Sequence, residues 1–149
     1  MQNYENASVV ADSSKVQAPS INHDKQELTR AFVMMALVDE VLYKNTNLNY
    51  VVHMILQCVS DISMKQYYGT TVLIDVLRGA ESQRIMQRQL YKLEQYGALK
   101  CLSREDLAII VEWMLDMHFI LKTKGEYPVL HPTYEGMHYD RYITFSDLE

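Results

Sequence analysis

The stretch Gly79-Ala-Glu-Ser-Gln-Arg84 has the makings of an anion-binding loop. Helical patterns flank it, so the loop feeds the chain into the start of a helix. Such a start carries free backbone N–H groups and the positive end of the helix dipole, which together suit a phosphate. Ser82 and Gln83 can donate further hydrogen bonds, while Arg78 and Arg84 add charge. Glu81 opposes them, because its carboxylate repels a phosphate. The same residues also fit a plain helix cap with two solvated arginines. Arg104 raises a related question, since a cation in the first turn of a helix opposes the dipole. A phosphate partner would account for it, and so would simple solvation.

Other chemistry is poorly supplied. Cys58 and Cys101 cannot form a four-thiolate zinc site, and five scattered histidines add no metal-ligand spacing. Cys58 lies among apolar residues and reads as a buried reduced thiol. Asp39 and Glu40 are adjacent and share no helix face. There is no Ser/His/Asp or Cys/His arrangement and no Gly-x-x-x-x-Gly-Lys-Ser/Thr loop for a nucleoside triphosphate. Neither catalysis within this chain nor a cofactor or metal is expected. The longest apolar run, Ala31 to Val38, is eight residues, against roughly 20 for a membrane span. The N-terminus has no basic region leading into an apolar core, so the chain is expected in the cytoplasm, without membrane contact.

The net charge of −5 is unevenly spread. Residues 1–64 hold four basic and seven acidic groups, and residues 105–149 hold three and nine. Residues 65–104 reverse the balance, with seven basic and three acidic groups. The one basic island therefore contains the Gly79–Arg84 loop, and the local field governs attraction to phosphates.

Several elements must position that loop. Residues 1–22 are polar and aperiodic and read as a disordered arm. Asp24 can cap a helix running to about Lys44, within an extension over residues 23–46. This helix is apolar on two sides, with Phe32 and Met35 on one and Val33 and Leu37 on the other. Such a helix wants two partners, and residues 24–44 are a candidate homodimer surface. A second helix runs from Leu48 to about Gln66 and ends at Gly69. A third spans Thr71 to Leu77 and stops at Gly79, and a fourth runs from Ser82 to about Leu93. Ser103-Arg-Glu-Asp106 is a capping box opening a helix to about His118. Phe119–Lys122 and Tyr127–Leu130 then read as two strands about a tight Thr123-Lys-Gly-Glu126 turn. Residues 137–149 form a tyrosine-rich tail.

The stretch Tyr67-Tyr-Gly-Thr-Thr-Val-Leu-Ile-Asp-Val-Leu-Arg-Gly-Ala-Glu-Ser-Gln-Arg-Ile85, followed by Lys92-Leu-Glu-Gln-Tyr-Gly97, closely resembles the RQC module of RecQ-family DNA helicases. Leu102-Ser-Arg-Glu-Asp-Leu107 and Phe119-Ile-Leu-Lys-Thr-Lys-Gly-Glu-Tyr-Pro-Val-Leu130 continue the resemblance, which covers residues 47–136. It implies a mainly α fold, a winged helix with a β-hairpin wing, here with an extra N-terminal helix. In the family a zinc-binding region usually precedes the module, and the first helix has no counterpart. The resemblance assigns backbone contacts to Arg78, Ser82, Gln83 and Arg84, and a basic residue facing the backbone to Lys100. Lys122 and Lys124 flank the wing tip, and Tyr127 matches a tyrosine that can stack on a terminal base pair. Packing against Pro128 or the helix below is the other reading of Tyr127.

The helix from Ser103 offers Glu105, Asp106, Glu112 and Asp116 where a major-groove reader would carry Arg, Lys, Asn or Gln. Sequence-specific readout by it is not expected. The reading is therefore a duplex- or fork-holding module of a RecQ-like helicase, in the service of DNA repair, recombination and replication. The helicase motor would lie in the same or another chain. The alternative is a winged helix that serves as a protein–protein interaction module without DNA activity.

Overall fold

The structure is a computed structural model that describes residues 21–38, 40–64, 66 and 68–138. The expected arm lies outside the described residues except for its last two positions, which open the first helix. Residues 139–149 of the tail also lie outside them.

Helix α1 (Ile21–Met34) is followed by a small hairpin of β1 (Leu42–Tyr43) and β2 (Thr46–Asn47). The continuous helix expected to Lys44 is thus not present. Beyond Met34 the chain turns, and Lys44 and Asn45 both take left-handed backbone (φ 54° and 63°). Two left-handed residues between paired strands make the two-residue turn whose twist suits a hairpin, and Asn is among its preferred residues.

Helix α2 (Leu48–Ser63) starts where the Asn47 side chain accepts the Tyr50 N–H at 3.0 Å. Its apolar face, Val51, Val52, Ile55, Cys58, Val59 and Ile62, forms the centre of the core. Gly69 does not end this helix but begins the next, α3 (Thr70–Arg78). There a Cβ would sit 2.9 Å from the Pro128 carbonyl, so only glycine allows the wing so close. Helix α4 (Gln83–Gln87) is far shorter than expected. Gln89 adopts left-handed backbone (φ 58°), and a single 3-10 turn, Leu90–Lys92, carries the chain on. This break lets both Ile85 and Leu90 reach the core.

Helix α5 (Arg104–Asp116) is capped as expected, the Asp106 N–H donating to Ser103 Oγ at 3.0 Å. The wing pairs β3 (Ile120–Lys122) with β4 (Leu130–Pro132), and α6 (Tyr134–Met137) follows. The second strand begins three residues later than the sequence suggested, and residues 123–129 form a seven-residue loop, not a tight turn. The Thr123 N–H to Val129 C=O bond (2.9 Å) and the Val129 N–H to Thr123 Oγ1 bond (3.0 Å) close that loop at its base. The Leu130 N–H also donates to the Tyr68 C=O at 2.8 Å, tying the wing to the entrance of α3.

This is a winged helix with one core shared by α1 to α5. Helix α1 is part of that core: its Leu28 and Ala31, and Met35 just beyond it, are buried with the residues of α2, α3 and α5. Phe32 meets Trp113 edge-on at 5.7 Å between centroids and Phe119 at 5.6 Å. The Trp113 indole N–H donates to Thr29 Oγ1 at 3.0 Å, and Lys25 pairs with Asp116 at 2.7 Å. Aromatic pairs of this geometry add about 0.5–1.5 kcal/mol beyond burial, so α1 is firmly seated on α5. Among the described residues no helix is long and apolar enough to cross a membrane.

Candidate nucleic-acid interface

The loop between α3 and α4 is held from behind. Gly79 and Gly97 both take left-handed backbone, and a Cβ on Gly79 would lie 3.2 Å from the Gly97 Cα. The Gly97 N–H donates to the Val76 C=O at 2.8 Å and the Leu99 N–H to the Leu77 C=O at 2.9 Å. The Tyr96 hydroxyl reaches the carbonyl oxygens of Gly79 and Ala80 at 2.9 and 2.8 Å. The segment that follows therefore leaves a fixed base, which is the condition for presenting Ser82, Gln83 and Arg84 in one geometry.

The nine residues singled out by sequence separate into groups. Arg78 does not face solvent as a free cation. Its Nε–H donates to the Leu102 carbonyl at 2.9 Å, fastening α3 to the segment before α5. Arg104 is paired with the Asp75 carboxylate of α3. That pair supplies the reason for a cation in the first turn, and neither a phosphate nor free solvation is needed. The Ser82 hydroxyl accepts the Ile85 N–H at 3.4 Å, a cap of a helix only five residues long. The long dipole-bearing helix start expected at Ser82 is accordingly absent. Gln83 and Arg84 are exposed, and no hydrogen bond or ion pair to another described residue is made by the Arg84 guanidinium.

The wing supplies the other members. Lys122 projects from β3, 4.0 Å from Glu112, and Lys124 is exposed in the loop. Tyr127 is 82% exposed, which rules out its packing into the helix below. A cavity of about 590 Å³ separates this loop from α3 and α4, with Arg84, Arg88, Lys122, Tyr68 and Tyr127 in its walls. A second hollow of about 550 Å³ continues along α4 past Ser82, Gln83 and Arg84. Lys100 is exposed but lines neither. Arg88, whose Nη1 donates to Gln66 Oε1 at 3.1 Å, was not anticipated. Its spacing of four from Arg84 was the available signal, since such residues share a helix face.

Helix α5 is poorly placed to enter a groove. Trp113, Ile110, Val111 and Met114 are buried, and α1 lies against it. Of its exposed positions, Arg104 is paired with Asp75, and Glu105 and Asp116 carry carboxylates, Asp116 held by Lys25.

The profile of the RQC domain family matches residues 42–139. The chain belongs to the RQC domain family. RQC domains are accessory, DNA-binding domains of RecQ helicases. The RQC chain is 29% identical over 83 residues to the ATP-dependent DNA helicase RecQ of Bacillus subtilis (strain 168), covering 56% of this chain and 14% of that protein. It is 34% identical over 68 residues to the ATP-dependent DNA helicase RecQ of Haemophilus influenzae, covering 46% of this chain and 10% of that protein. The RQC chain thus spans a small part of the curated relatives it matches.

Proposed function

We propose that this RQC domain holds double-stranded DNA at a fork through the phosphate backbone, without sequence preference, for a helicase motor in the same or another chain. Ser82, Gln83 and Arg84 grip one stretch of backbone, and Lys122 and Lys124 of the wing hold another. Tyr127 stacks on the terminal base pair. Lys100 adds a more distant phosphate contact. The observation that carries this reading is a division of charge. Exposed cations, Arg84 and Arg88 on the α4 shoulder and Lys122 and Lys124 on the wing, gather on one side, whereas α5 is covered by α1 and exposes Glu105 and Asp116. Phosphate contacts position a protein without reading bases, so such a surface binds all sequences alike. Anisotropy on several forked duplexes of unrelated sequence tests this. Equal affinities are expected, and a strong preference for one sequence, or no binding, overturns it.

A second reading, a protein-interaction module, is favoured by one feature. Beyond the packed part of α1, Val33 is 59% and Leu37 76% exposed, with Met34, Val38 and Leu42 also uncovered. A symmetric contact between two copies would cover this patch. Light scattering reporting only a 17.4 kDa particle at high concentration refutes the homodimer.

A further inference from the structure

The duplex reading uses Arg84, Lys122 and Tyr127 from the walls of the cavity between the wing loop and α3–α4, and leaves Arg88 and Tyr68 in those walls without a role. We propose that this cavity binds an unpaired nucleotide from the single-stranded tail of a fork. The proposal rests on the duplex-holding reading and adds a second ligand class to it.

Size is the first argument. At about 590 Å³ the cavity falls within the roughly 300–1,000 Å³ of pockets that enclose small ligands. A duplex is too broad to enter it and would ride across its rim. Charge is the second. Arg84 and Arg88 from the α4 segment and Lys122 from the wing line it together with one carboxylate, Glu126. Arg88 spends one N–H on Gln66, which leaves the rest of its five donors for a phosphate. The third argument is the aromatic mouth. Tyr127 and Pro128 in the wing loop, with Tyr68 at the entrance of α3, offer flat apolar faces beside these cations. Cations that track a backbone next to rings that stack bases are the combination that binds single strands of any sequence. The adjoining hollow shares Arg84, Arg88, Thr71 and Val72 with the cavity, so a strand leaving it has a continuous path along α4.

The test compares a blunt duplex with the same duplex carrying a short oligothymidine tail, on wild-type protein and on Arg88→Ala. The tail is expected to tighten wild-type binding roughly tenfold, the size of one base–aromatic contact. Arg88→Ala should abolish that gain and leave blunt-duplex affinity and the melting temperature unchanged. Blunt binding without any gain from the tail overturns this proposal alone, and so does an equal loss on both substrates. Failure to bind either substrate overturns the duplex-holding reading instead. Free thymidine monophosphate is expected not to erase the gain at modest concentration. If it does, the cavity is a free-nucleotide site and the proposal fails.

Discussion

Arg78 and Arg84 are six residues apart, both basic and both in the loop region, yet their replacement by alanine should have opposite consequences. Arg78 donates to the carbonyl of Leu102, a residue whose side chain is fully buried. A hydrogen bond to a charged donor contributes ~1.5–3 kcal/mol. For a domain of this size each kcal/mol moves the melting temperature by about 3–5 °C. Arg78→Ala should therefore lower it by roughly 5–15 °C, with DNA affinity nearly intact while the protein stays folded. Arg84 is exposed, and its guanidinium has no partner among the described residues. Arg84→Ala should change stability by no more than about 0.5 kcal/mol. It should weaken binding to every duplex and reduce the salt slope by about 1. Differential scanning fluorimetry and anisotropy on the two variants separate the effects. Equal melting temperatures for both variants, or full affinity in Arg84→Ala, would refute the reasoning.

Three further outcomes follow from the packing and the wing. Gly136→Ala would put a Cβ about 2.0 Å from the Phe119 carbonyl oxygen, so α6 must leave the wing base, and thermal denaturation should show a loss of at least ~1–3 kcal/mol. Burial pushes the Cys58 thiol pKa well up, helped by nearby Asp61, whereas Cys101 is exposed, so a thiol reagent should titrate one group per folded chain. Because the unfolded thiol ionises first, stability should be full below about pH 8.5 and fall by up to ~1.4 kcal/mol per pH unit above it. Cys58→Ala should flatten that decline between about pH 8.5 and 10, above which buried Tyr43 begins to contribute. Tyr127→Ala should cost ~1–3 kcal/mol on a forked or blunt end and almost nothing on duplex without an accessible end. Equal loss on both substrates contradicts the stacking role.

The strongest local signals in the sequence proved sufficient for α2, α3 and α5. Ser103 caps its helix and Gly79 stops another, each a one-residue rule with a steric or hydrogen-bonding cause. The end of α1 carried no such signal, because Ala31 to Val38 stays apolar and the chain turns without Gly or Pro. The second wing strand was misplaced because Tyr127–Leu130 is as strand-like by composition as the segment that pairs. The register is set instead by the Leu130–Tyr68 bond and by loop closure at Thr123. The site was only half legible for a related reason. Arg78, Arg84 and Arg104 carry identical charge, and which is free depends on Leu102 and Asp75, partners 24 and 29 residues away in the chain.

The salt dependence of fork binding bears most directly on the central claim. A domain that contacts about four phosphates should lose affinity with salt at a log–log slope of about −3.6. A series of anisotropy titrations on one forked duplex, from low to physiological salt, should give that slope. A flat response, or no binding even at the lowest salt, would contradict a backbone-holding role.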